Sequence, residues 1–311
     1  MTLPPPTSRL GRLWWEFKRQ RNLQIVMVPV ALWTIAIFYL PMLGNVIAFQ
    51  DYEVYQGFTG SPWVGLKHFI AFFTNRFTLV LIRNTLAMSM LSLVVGTLAA
   101  ILFALLLNEI RSLAFKRVIQ TISYLPYFVS MAVCANLFVQ LLGRIGALND
   151  ILMGARVLSE PFPFLEKPGL FWGILTLQGV WKNVGWNAII YLAAISGIPE
   201  EIYEAAYIDG AGRARRMWSI TLPSILPTIA VLLIMNSGYL IMGGFEQQLL
   251  MLNPMVLDVG EVLQTYVYKR GISGAQYSFA AAVGLFQSAV SILIILLVNR
   301  ASKGLADIAL W

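Results

Sequence analysis

The residues with chemical potential in this chain are few and sit in unusual places. Glu204-Ala205-Ala206, Asp209-Gly210, Gly212 and Leu222-Pro223 share one polar stretch, Gly197–Pro223. A carboxylate beside two alanines, followed by a glycine bend, suits close docking into a facing groove rather than bond-making. A second set lies inside otherwise apolar runs: Tyr124, Asn136, Gln140, Gln178, Trp181, Lys182, Asn183, Trp186, Asn187, Asn236, Tyr239 and Gln287. Aromatic faces with amides suit a polyhydroxylated ligand, but Asn and Gln equally serve as bonds between membrane helices, worth about 0.6 kcal/mol each. Machinery for covalent chemistry is thin. One histidine, His68, and one cysteine, Cys134, leave no metal site and no disulfide framework. No Gly-x-x-x-x-Gly-Lys-Ser/Thr segment is present to cradle nucleotide phosphates.

Composition says what kind of body must position these groups. The 311 residues are 58% hydrophobic and 12% charged, with a mean hydropathy of +0.72. Soluble domains carry about twice that share of charge. Nearly every water-soluble enzyme is thereby excluded. The net charge of +7 is scattered in short clusters between apolar runs. That is a membrane protein's distribution and argues against nucleic-acid binding.

Uncharged runs extend from Arg21 to Asp51, Arg83 to Glu109, Arg117 to Arg144, Arg216 to Glu246 and Arg270 to Arg300. A sixth, Lys167 to Glu200, carries only Lys182. Each exceeds the ~20 residues a helix needs to cross the hydrocarbon layer. The predicted class is therefore all-α, a polytopic membrane protein of six helices near 23–49, 84–108, 118–141, 169–196, 224–245 and 277–299. Residues 1–22 and 301–311 are expected as cytoplasmic tails. Basic residues favour this orientation by thirteen to eight, with Arg9, Arg12, Lys18, Arg19 and Arg21 before the first span. No small-residue cleavage site follows that span, so it reads as retained rather than as a signal peptide.

Within Gly197–Pro223, Pro199 can open a helix and Glu200 and Glu201 suit its first turn. Gly210-Ala211-Gly212 breaks it, and a second short helix is expected to close at Leu222-Pro223. Composition alone also fits an amphipathic linker resting on the bilayer. The order Glu204-Ala205-Ala206, Asp209-Gly210-Ala211, Ile220-Thr221-Leu222-Pro223 resembles the EAA motif of permease subunits of binding-protein-dependent ABC importers. Trp63–Leu66, Asn84-Thr85-Leu86, Leu125-Pro126, Trp181–Trp186, Phe245-Glu246-Gln247, Asn253-Pro254 and Thr265–Tyr268 resemble the carbohydrate-type, oligosaccharide branch. Gly212 departs from the serine or asparagine frequent in relatives.

The resemblance implies a type I ABC importer fold in the bacterial inner membrane, with residues 197–223 as a coupling segment on a separate ATPase. It further implies two ATPase copies holding Mg-ATP, with no cofactor on this chain. A second homologous permease, an extracytoplasmic solute-binding protein and an oligosaccharide substrate complete the assembly in the lipid. A permease for another solute, a membrane-embedded enzyme and a secondary transporter are the competing readings. The last two want acidic or histidine clusters that the spans lack. Lys182, mid-way along its span, must meet something polar: a carboxylate on the partner permease, a wet lumen or an acidic sugar. The first two are favoured here.

Overall fold

The computed structural model describes residues 20–306, together with Ser8 and Trp15. The expected cytoplasmic segment 1–22 and the end of the tail therefore lie mostly outside the described residues. Those described are helical, with one isolated bridge between Gln50 and Trp63. The longer helices are α1 (Arg21–Thr34), α2 (Lys67–Phe73), α3 (Thr78–Asn108), α4 (Leu113–Phe128), α5 (Met131–Leu142) and α6 (Ala147–Gly154). They continue as α7 (Pro168–Ser196), α8 (Glu200–Ile208), α9 (Leu222–Ser237), α10 (Phe245–Met251) and α11 (Tyr277–Ala306).

Among the described residues five helical stretches are long and apolar enough to cross a membrane: Asn22–Phe49, Thr78–Asn108, Met131–Gly154, Arg213–Ser237 and Tyr277–Lys303. The expected sixth, α7, has 29 residues, about 43 Å at 1.5 Å each. Its Gln178, Lys182, Asn183 and Asn187 keep it out of the apolar set.

Several boundaries differ from the sequence expectation, each for a local reason. The span expected at 118–141 is broken, because α4 stops at Phe128 and Val129 and Ser130 are extended. Pro126 removes one helical N–H there, and the Ser130 hydroxyl caps α5 by accepting from the Val133 amide, 3.3 Å away. The short helix expected to close at Leu222-Pro223 instead runs on. Residues Arg213–Arg216 lead through a π-turn, Met217–Thr221, straight into α9. The wider turn just before Pro223 accommodates the missing N–H. The span expected to reach residue 245 ends at Ser237, and Gly238–Gly244 is a series of turns. Thr78 rather than Asn84 opens the second span, and α11 extends to Ala306.

Helix α7 is the centre of the bundle, packed on α3 most extensively, then on α4 and α9. Small residues permit that approach. Ala100, Ala104, Ala188, Tyr191, Ile195, Ile225 and Ile229 form one buried cluster joining α3, α7 and α9. Toward the N-terminal end of α7, Phe171 and Leu175 meet Met88, Met251 and Val262. The segment beyond α10 is fastened there by buried polar side chains. Asn84 donates to the Asp258 and Glu261 carbonyls at 3.0 Å each, and the Trp172 indole donates to Val259 at 2.7 Å. The hydroxyl of Thr85 accepts the Leu263 amide at 2.9 Å.

Candidate functional site: a polar pocket, a helix clamp and a coupling segment

Three constructions radiate from α7. The first is a cavity of about 330 Å³ between α3, α7, α9 and the turns leading into α10. Ser89, Ser92 and Thr97 of α3 line it, with Thr176 and Asn187 of α7, Asn236, Tyr239, Gln247 and Gln248. None of its lining residues is charged. Gly243 and Gly244 bring backbone to its edge. A Cβ on Gly243 would lie 2.6 Å from Ser89 Oγ, and Gly244, at φ +90°, would set one 2.6 Å from Gln248 Cδ. Beside the pocket, Gln247 donates to Gln178 Oε1 at 2.9 Å and to the Leu175 carbonyl at 2.7 Å. Two buried amide atoms, Gln178 Nε2 and Gln248 Oε1, have no partner. Such atoms are costly to leave unbonded.

Of the candidates predicted from sequence, the cavity gathers Asn187, Asn236 and Tyr239, with Gln178 alongside. Others fall elsewhere. Asn136 and Gln140 lie exposed on α5. Trp181 faces Phe138 at 5.9 Å between ring centres. The Asn183 amide bonds back to the Gly179 carbonyl of its own helix at 2.8 Å. Gln287 is buried on α11 and donates to the Ile241 carbonyl at 2.9 Å, holding the unwound segment in place. The hydroxyls of α3 escaped sequence reading, although Ser89, Ser92, Gly96 and Thr97 recur at helical spacing on one face.

The second construction is built on Lys182. Within this chain its amine meets three carbonyls at the broken end of α4: Pro126 at 3.3 Å, Tyr127 at 3.0 Å and Val129. A helix that stops leaves its last carbonyls without intrahelical donors. Lysine offers three N–H donors. Three and four residues on, the same face of α7 continues the grip. A Cβ on Gly185 would lie 2.6 Å from the Ser123 carbonyl carbon and 2.8 Å from a ring atom of Tyr124. Trp186 stacks on Tyr127 at 4.4 Å, the rings within 3° of parallel. Asn187, five residues beyond Lys182, is on a different side of α7 and lines the pocket.

The third is the 197–223 segment. Gly197 ends α7, Pro199 precedes α8, and Glu204, Ala205 and Ala206 lie in its second half. Tyr207 and Ile208 are 71% and 83% exposed, an apolar face uncovered within this chain. Asp209 ends the helix and Gly210 turns the chain at φ +79°, a conformation that favours glycine. Gly212, extended, begins Arg213–Arg216 without a side-chain cap. The Tyr203 hydroxyl meets Thr221 Oγ1 at 2.9 Å, tying α8 back to the π-turn below Leu222-Pro223.

Outside the spans, several charges form ion pairs. Asp51 is held below the usual carboxylate range by the Lys67 hydrogen bond and by His68. Arg144 grips Glu166 through two bonds of 2.7 and 2.6 Å, raising the guanidinium and lowering the carboxyl.

Helix α7 thus joins a polar cavity to the exposed 197–223 segment. The family of binding-protein-dependent transport system inner membrane components matches residues 92–307. The chain belongs to that family. It is 42% identical over 293 residues to the polygalacturonan/rhamnogalacturonan transport system permease protein YteP of Bacillus subtilis, covering 94% of this chain and 91% of that one. The protein LplB of the same organism is 42% identical over 302 residues, covering 96% and 94%. Among solved structures, a chain of a bacterial ABC transporter involved in import of the acidic polysaccharide alginate superposes with a TM-score of 0.87. That chain is 36% identical, with 95% of this chain and 99% of it covered. The alginate transporter has also been solved in complex with an alginate pentasaccharide-bound periplasmic protein. This permease is thus a multi-pass inner-membrane transport component rather than an enzyme.

Proposed function

We propose that this permease forms one half of the passage of an ATP-driven importer for oligosaccharides delivered by an extracytoplasmic binding protein. The cavity between α3, α7 and α9 carries the reading. Its hydroxyls and amides match sugar hydroxyl groups in kind. Helix α7 runs from that cavity directly into the coupling segment 197–223.

In this reading two ATPase subunits holding Mg-ATP dock on Glu204, Ala205 and Ala206 from the cytoplasm, with Asp209, Gly210 and Gly212 forming the bend. Leu222-Pro223 passes the displacement to α9. A second permease supplies the other wall. Helix α7 is the sixth span, residues 23–300 form the permease domain, and both termini face the cytoplasm. The sugars named for YteP and for the alginate transporter are acidic. A pocket without charge accepts uronate and neutral oligomers alike, so selection by sign falls to other subunits.

Uptake by the reconstituted complex tests this. Replacing Asn187 and Asn236 together with leucine should cut entry of galacturonate oligomers and of their methyl esters in parallel, with the complex still assembled. Uptake unchanged by the double substitution would overturn the passage assignment.

A further inference from the structure

We infer that Lys182 is a positioning residue: the cap of a helix that ends inside the membrane, locking α4 to α7 so that both move as one arm. The inference rests on the transport reading only for what drives the arm. Its basis is the clamp itself. In hydrocarbon no water can take up the carbonyls left free where α4 stops. Lys182 is only 9% exposed and donates to the Tyr127 and Val129 carbonyls and to that of Pro126, which also accepts the Val129 amide; its amine is 5.8 Å from the centre of the Tyr127 ring. A cation at a helix C-terminus is favoured by the helix dipole. The backbone approach at Gly185 and the Tyr127–Trp186 stack repeat the contact one turn further on. By contrast α4 joins α5 through only the extended pair Val129–Ser130. Rigid attachment thus lies toward α7, and the flexible joint toward α5. The Trp181–Trp186 run becomes legible as cap, close contact and stacking platform. It predicts that loss of Lys182 is felt by every substrate, charged or neutral.

The test uses the full transporter in nanodiscs, with Cys134→Ala as background. Spin labels go on the exposed positions Ile122 of α4, Leu177 of α7 and Ile292 of α11. The Ile122–Leu177 distance should stay narrow and unchanged between nucleotide-free and ATP-trapped states, while Leu177–Ile292 shifts. Lys182→Met should broaden the first distance and lower sugar moved per ATP by about tenfold, the scale of losing bonds from a charged donor. Lys182→Arg should recover part of both. A native Ile122–Leu177 distance that changes with nucleotide would overturn the lock, even if Lys182→Met fails to accumulate. So would Lys182→Met with native distances and native coupling. A constant Leu177–Ile292 distance, with a narrow Lys182-dependent Ile122–Leu177 distance, would instead support the lock and refute the coupling reading.

Discussion

Helices α1 and α7 reverse what hydropathy alone suggests. The most apolar 18-residue window of Asn22–Phe49 has a mean hydropathy of 2.1, yet it buries nothing within this chain. Leu23, Ile25, Trp33 and Leu43 are all more than half exposed. Helix α7 is too polar to join the apolar set, yet Phe171, Leu175, Gln178, Lys182, Gly185, Ala188, Tyr191 and Ile195 form a continuous buried stripe along it. Apolarity reports compatibility with lipid, not participation in the core. Participation here comes from small residues and from polar side chains that find main-chain partners.

The sharpest way to break this contrast is Gly185→Val. Its side chain would press into the Ser123 carbonyl and the Tyr124 ring, an overpacking that costs about 1–3 kcal/mol or more. The folded permease should largely disappear from membranes on size-exclusion analysis. Gly179→Ala, on the same helix with nothing within 4 Å of its Cβ, should be indistinguishable from the native chain. Equal behaviour of the two would deny that α7 is clamped at Gly185.

Next in size is Asn84→Leu, which strips the Glu261 carbonyl of its side-chain donor and leaves the Asp258 carbonyl to Arg83 alone. A loss of about 1–3 kcal/mol is expected from the stranded acceptor, read as a lower midpoint of thermal unfolding. Leu32→Ala on the exposed first helix should change the stability of the isolated chain by less than about 0.5 kcal/mol. A larger effect would mean that α1 packs within the chain after all.

The smallest effect belongs to Glu166→Gln. Pairing with Arg144 holds Glu166 below its usual range, so any contribution is present above that range and fades as pH falls through the lowered value. The pair is exposed, and solvent screens it. No measurable change in melting at neutral pH is expected.

Much of this was legible in the sequence. Charge-free runs placed the apolar spans, and the spacing from Glu204 to Pro223 marked the inner loop with its bend at Gly210. What stayed hidden was long-range pairing. Nothing local in Lys182 says that a helix end will stand beside it, although Pro126 and Ser130 together were a signal for the break. The passage of Arg213–Arg216 into α9 was obscured because a Leu-Pro pair reads as a stop, and only a π-turn makes it a continuation. Gln287 looked like a passage residue until the unwinding at Gly238–Gly244 supplied the carbonyl that holds it.

Sugar moved per ATP hydrolysed tests most directly whether α7 connects the 197–223 segment to the passage. In proteoliposomes containing the whole complex, Glu204→Lys and Gly210→Pro should insert and assemble. The first reverses the exposed charge of α8; the second forbids the left-handed bend and restricts Asp209. Uptake driven by ATP should fall at least about tenfold, the effect of some 1.4 kcal/mol of lost coupling. Native uptake by both variants, at equal amounts in the membrane, would contradict the account.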